Sequence, residues 1–249
     1  MNGFQQHGID HLSASSLNLW TNAPEVWVAQ YLLGKRIPFG PAPKRGQAVE
    51  AAVAEVLCGA SVDEAVARAE AGFDKQFLIG DEKTTKERAL IAPMARIAVD
   101  ELAHLGEPQF TAEGAQEKIS ITANMGNWSI DLWGFLDFVY PEHGLVVDLK
   151  TTTRIPSQMS ADHQLQRAIY AKAKGNHAVK FLYVSAKSTR WLEDGDMAKN
   201  LARAKVKIAR LECFLKDRSA EYLRKIVPVN PSSFYWRGAE RMREEIYGF

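Results

Sequence analysis

In the stretch 133–170, WGFLDFVYPEHGLVVDLKTTTRIPSQMSADHQLQRAIY, two carboxylates, an ammonium and an amide follow one another closely: Asp137, Asp148, Lys150 and Gln166. Residues 133–140 are aromatic and β-branched and predict a strand. Pro141, Glu142, His143 and Gly144 make a turn signal, and residues 145–150 predict a second strand. The tight connection makes the two an antiparallel hairpin. Taken symmetrically about the point between Glu142 and His143, the register sets Asp137 opposite Asp148. Opposed residues share a face with Cβ atoms about 4.5–5.5 Å apart, and like charges there repel. Lys150, two residues past Asp148, projects from the same face. Leu136, Phe138, Val147 and Leu149 take the other face, which is apolar. A solvated Lys–Asp ion pair would explain Lys150 and Asp148 alone. Phe135 shares the acidic face and Val146 flanks it, so that face is not simply polar. Facing carboxylates call for a cation, and Mg²⁺ is the usual partner of two carboxylates, water and a phosphate. The chemistry such a set supports is metal-assisted phosphodiester cleavage.

The elements that must position these groups follow in order. Residues 151–158 read as a loop, and 160–175 as a helix ended by Gly175 and Asn176. Gln166 and Tyr170 lie four apart on one helical face. Residues 178–185 predict another buried strand. This order resembles the PD-(D/E)XK nuclease superfamily, in its RecB-like, phage-type exonuclease branch. The resemblance is carried by Gly134-Phe-Leu-Asp137, by Val147-Asp148-Leu149-Lys150-Thr151-Thr152 and by Gln166-Arg-Ala-Ile-Tyr170. They match the GxxD, DxK-T and QxxxY motifs of that branch in order and spacing. Asp-x-Lys alone recurs often by chance; the three motifs together, each on a suitable element, are specific.

The resemblance implies an α/β (α+β) fold. Its restriction-endonuclease-like core has a mixed central sheet with an antiparallel meander, flanked by helices and extended by helices at both ends. It implies that Asp137, Asp148 and the backbone carbonyl of Leu149 hold Mg²⁺ or Mn²⁺. Lys150 would orient the attacking water and stabilise developing charge. Gln166 would position the water, Lys150 or the phosphate, and Tyr170 would stack on a base or sugar, or pack. Thr151 and Thr152 would contact the DNA backbone. Some members carry an iron–sulfur cluster, with a cysteine just before the proline of the second helix. Here Ala23 precedes Pro24, so no cluster is expected.

Earlier in the chain, Ser13 and its neighbours supply a helix cap, and Pro24 suits the first turn of the next helix. Residues 1–12 read as a loose start and 35–44 as a Pro/Gly-rich link. A helix over 46–57 has the apolar stripe Val49, Val53, Val56 and Leu57, and Glu50 falls within it. A carboxylate there is costly unless it is paired or meets a cation; alternatively, it lies at the stripe's edge and reaches solvent. The family's first motif, a His or Glu behind a Gly, fits Gly46-Gln-Ala-Val-Glu50 in its Glu form and implies a catalytic and metal-binding role for Glu50. A helix over 61–71 is capped by Ser61. Thr84-Thr85-Lys86-Glu87 reads as a capping box opening one long amphipathic helix to Leu105. Residues 113–124 contain the meander's first strand, which Glu117 begins. It would sit near the metal or pair with a lysine. Residues 196–225 are helical and basic. Lys199, Arg203, Lys207 and Arg210 share a helical face, either a solvated surface or the rim of a DNA groove.

The 249 residues suit one nuclease domain: a helical wall over 1–112 with Glu50, a catalytic sheet core over 113–190 and a helical extension over 191–249. A net charge of +1 gives no global pull on nucleic acid, so DNA binding falls to local clusters. Cys58 and Cys213 are the only cysteines, too few for a disulfide framework or a thiolate cage. No long apolar run or signal peptide is visible, which predicts a cytoplasmic protein without membrane contact, in a bacterium or a phage-infected host. The expected substrate is DNA with linear ends, single- or double-stranded. A recombination or single-strand-annealing partner and homo-oligomerisation are compatible with that reading. The rival readings are a structure-specific or restriction-like endonuclease, and a DNA-binding module with an inactive core.

Overall fold

The computed structural model describes residues 1–77, 80–109 and 116–248. Residues 113–115 of the expected first meander strand lie outside them. The strands are β1 His11–Leu12, β2 Glu117–Ile121, β3 Asp131–Leu136, β4 Phe138–Tyr140, β5 Leu145–Thr151, β6 Ala178–Val184 and β7 Thr189–Leu192. The helices of the first half are α1 Gly3–Gln6, α2 Ala14–Asn22, α3 Pro24–Tyr31, α4 Pro41–Leu57, α5 Val62–Asp74, α6 Glu82–Arg88 and α7 Ile91–Leu102. The second half carries α8 Ala123–Gly126, α9 Ala161–Lys174, α10 Met197–Leu215, α11 Ala220–Ile226 and α12 Glu240–Tyr247. No helix among the described residues is long and apolar enough to cross a membrane.

The expected α/β class holds, with one change. The sheet is two mixed sheets, β1-β3-β2 and β4-β5-β6-β7. The apolar run 133–140 is not one strand: it bends at Asp137, and its halves join different sheets. The hairpin register is the expected one, since Phe138 pairs with Val147 and Tyr140 with Leu145. One more step would set Asp137 opposite Asp148, but the ladder stops at Phe138. The bend also breaks the alternation of side chains. Leu136 and Phe138, expected on one face, enter separate cores. Beyond β5 the pairing is parallel to β6 and sets Asp148 beside Phe181 and Lys150 beside Tyr183.

The four-stranded sheet therefore has a core on each face. Phe138, Tyr140, Val147, Leu149, Leu182 and Val184 pack on α4, α5 and α7. Val139, Val146, Val179 and Phe181 face the other way, toward α2, α9, α10 and the three-stranded sheet.

Several elements depart from the sequence reading for local reasons. Helix α4 begins at Pro41, inside the expected link. Pro41 and Pro43 both lie in its first turn, where a missing N–H costs nothing because that group has no intrahelical acceptor. The expected long helix is two, α6 and α7, and Asp81 is the cap, its side chain accepting from the Thr84 N–H at 2.7 Å. Pro93 accounts for the break, since it cannot donate to the carbonyl four residues back. The start of the chain is not loose: Asn2 closes a capping box on α1, Phe4 is fully buried, and β1 runs parallel to β3. The other expected caps, Ser13 and Ser61, both accept backbone N–H groups, and so does Ser160 at the start of α9.

Candidate active site

Asp137 sits at the junction of the two sheets, and its Oδ2 accepts the Leu149 N–H at 2.9 Å. That bond fixes the carboxylate against β5 in place of the expected cross-strand pairing. Asp148 lies in mid-strand and is 1% exposed. Its Oδ1 meets the Lys150 ammonium, and its Oδ2 accepts from Gln166 Nε2 at 3.0 Å. The same Gln166 nitrogen lies 2.9 Å from the Tyr170 hydroxyl. Helix α9, capped by Ser160 and ended by Gly175, carries Gln166 and Tyr170 to this point one turn apart.

Gly134 is needed for that approach. A Cβ at this position would lie 2.7 Å from Cε1 of Tyr170, well inside contact distance. The Gly134–Asp137 and Gln166–Tyr170 motifs are therefore in physical contact. Tyr170 is 6% exposed and packs, as one of its two readings had it.

The electrostatics of the patch are those of crowded anions. Burial raises Asp137 well above the ordinary carboxylate range, and the charges of Asp148 and Glu50 raise it further. Burial also raises Asp148, against the pull of Lys150. Burial opposes the Lys150 charge, but Asp148, Asp137 and Glu50 outweigh it and hold the ammonium above its usual pKa. Lys150 lies 5.2 Å from the centre of the Phe181 ring, so an aromatic floor supports it.

Glu50 is half-buried on α4, and its Oε1 accepts from Gln116 Nε2 at 2.5 Å. Burial raises its pKa, as does the charge of Asp148. It is thus not a solvated edge residue. Among the described residues, no three His, Cys, Asp or Glu side chains form a ready-made metal cage. Asp137 and Asp148 are the nucleus of the anionic patch, and Glu50 borders it. The donors fit a hard divalent cation: all are oxygens, and one ammonium faces three carboxylates.

Glu117 forms an ion pair with Lys174 at 2.9 Å, the second of its two readings. Thr151 is engaged by Arg45, which donates to its carbonyl at 3.3 Å and to its Oγ1 at 3.2 Å. Thr152 Oγ1 donates to the Arg154 carbonyl at 2.9 Å. On α10, Lys199 is exposed, Arg203 donates to Asn200, and Lys207 donates to Asn18 Oδ1 at 3.0 Å. The basic face is therefore partly spent on internal contacts.

His163 and Tyr183 belong to this neighbourhood and had not been singled out. His163 Nδ1 and the Tyr183 hydroxyl lie 2.5 Å apart. Burial, with help from the Lys150 charge, pushes the imidazole down to about 4, so it is neutral at physiological pH. The signal was present in the spacing: His163 precedes Gln166 by three residues and shares its helical face.

The comparisons with known proteins bear on this geometry. No curated protein matches the chain. A structure titled "Crystal structure of SSO0001" is similar at 12% identity, covering 73% of this chain and 85% of that one, with a TM-score of 0.36. A likeness that weak decides neither fold nor activity. The family model of the PD-(D/E)XK nuclease superfamily matches residues 11–234. That span includes Glu50, Asp137, Asp148, Lys150 and Gln166, and the chain belongs to the PD-(D/E)XK nuclease superfamily.

Proposed function

We propose that this nuclease is a Mg²⁺- or Mn²⁺-dependent deoxyribonuclease acting at DNA ends, an exonuclease of the RecB-like, phage-type branch. Its setting would be recombination, repair or phage DNA processing. The observation that carries the reading is the convergence of Asp137, Asp148, Lys150 and Gln166 on one buried anionic patch. Asp137, Asp148 and the Leu149 carbonyl would hold the metal, with Glu50 at its border. A bound divalent ion supplies Lewis-acid polarisation of the phosphoryl oxygen and lowers the pKa of water.

The chain's own residues do the rest. The Lys150 ammonium faces the charge that develops on the phosphoryl oxygens. Gln166 holds Asp148 in one orientation, and Tyr170 holds Gln166. His163 is neutral beside Lys150 and adds no competing positive charge.

The test is digestion of linear and covalently closed circular DNA with Mg²⁺, Mn²⁺ or EDTA. Loss of linear DNA alone, dependent on metal, is the expected result. Loss of both substrates would move the reading to an endonuclease. Cleavage undiminished in EDTA would overturn the metal assignment, and no cleavage under any condition would leave a DNA-binding module.

A further inference from the structure

A groove of about 600 Å³ opens beside the start of α4, away from the carboxylates. Lys35, Arg36, Phe39, Lys44, Gln76 and Phe77 are among its lining residues. None of its lining residues is acidic, and Lys35, Arg36 and Lys44 form no ion pair with a described carboxylate. Phe39 is 60% exposed, while Ile37 and Phe77 beside it pack against the cores. The Lys44 ammonium stands 5.6 Å from the centre of the Phe39 ring. The chemistry of an exposed aromatic face held among cations without carboxylate partners suits a flat π-system carried on a polyanion.

The groove connects to the candidate site through α4. Arg45, the residue after Lys44, bonds to Thr151, which follows Lys150 on β5. Glu50 lies six residues beyond Lys44 on the same helix, about 9 Å at 1.5 Å per residue. That is at most about three nucleotides, since 3.4 Å is the duplex rise and an unpaired strand extends further per nucleotide.

We propose that this groove binds the single-stranded part of the DNA substrate a few nucleotides from the scissile bond. Phe39 stacks on an unpaired base, and Lys35, Arg36 and Lys44 meet the flanking phosphates. A single strand is favoured over a duplex because pairs stacked inside a helix leave no π-face for the ring and only the end pair exposes one, and because 600 Å³ suits one or two nucleotides. The inference rests on the DNA reading given above.

The test is binding, measured by fluorescence anisotropy in EDTA so that no cleavage intervenes. The probes are a short labelled oligothymidylate and a blunt duplex of equal length. Phe39→Ala is expected to weaken binding of the single strand about 5- to 150-fold, the loss of one base–aromatic stack, and to leave duplex affinity unchanged. Phe39→Tyr should retain it. Replacing Lys35, Arg36 and Lys44 together by Ala should reduce the salt dependence of single-strand binding by about 2 in log–log slope, at about 0.7 per phosphate contact. Melting temperatures equal to the parent's confirm that the variants are folded. Unchanged single-strand affinity in Phe39→Ala, or equal losses for both probes, would overturn the proposal. Failure here leaves the nuclease reading standing, because the parent's metal-dependent cleavage is measured separately; loss of that cleavage would be the failure of the other reading.

Discussion

Lys150 and Asp137 are separable by what their removal should do. Lys150 supplies a charge needed in the transition state, so Lys150→Ala is expected to lower the single-turnover rate by about 10²–10³. DNA affinity should be retained; a loss of affinity in step with rate would make Lys150 a phosphate-binding residue. Asp137 is a case of repulsion. Its pKa is raised in the fold, by burial first and by Asp148 and Glu50 next. A raised folded pKa means stability that is complete below the ordinary carboxylate pKa and is lost as pH rises through the folded value. The metal-free protein should therefore gain stability on acidification from neutrality toward that range. At neutral pH in EDTA, Asp137→Asn should melt no lower than the parent, since an amide oxygen still accepts the Leu149 N–H without the charge. Thermal melts of both proteins across pH check this; a marked loss in the variant would mean that the carboxylate is not repelled. The placing of Lys150 beside Asp148 was legible because strand alternation is a short-range rule. The turning of Asp137 out of its strand was not, because an unbroken aromatic run carries no mark of where a backbone changes sheets.

The elements are joined by residues whose role is invisible to periodicity. Arg45 is buried on α4, pairs with Glu87 on α6 and reaches Thr151 at the end of β5. Removing one partner of such a pair leaves a buried charge, and Arg45→Ala should cost about 3–5 kcal/mol in a denaturant melt. Gly134 couples β3 to α9 in the same way. Its replacement by Ala forces Tyr170 aside, so Gly134→Ala should destabilise by about 1–3 kcal/mol and lower turnover with it. A stable, fully active variant would show that Tyr170 does not hold Gln166 in place. Caps at Ser13 and Ser61 were readable because an N-cap is a local hydrogen bond. The division of α6 from α7 was also readable in principle, from Pro93. The short strand β7 carried no comparable signal, since Glu101 on α7 holds it through Thr189 and Trp191.

At the scale of the molecule, the anionic patch lies where the two sheets meet and where α4 and α9 approach from opposite sides. A cation bound there touches groups from several layers and stabilises only the folded state. At about 100 times its dissociation constant such a ligand adds about 2.7 kcal/mol, and a chain of this size shifts by about 2–4 °C per kcal/mol. Mg²⁺ should therefore raise the parent's melting temperature by several degrees and leave that of Asp148→Asn nearly unmoved. An equal rise in both would mean that the metal binds elsewhere. The two cores either side of β5 were foreseeable from its apolar alternation. The strand order was not, because the parallel partner β6 arrives only after α9.

One backbone group offers a reading of this site that needs neither substrate nor turnover. The Leu149 amide proton points at a carboxylate, not at a peptide carbonyl. Its nuclear magnetic resonance frequency is thus tied to the charge on Asp137. Protonation, or capture of a divalent ion, redistributes that charge and shifts the Leu149 signal. A ¹⁵N-labelled sample carries its own indicator in mid-strand, able to report the occupancy of the patch one titration point at a time.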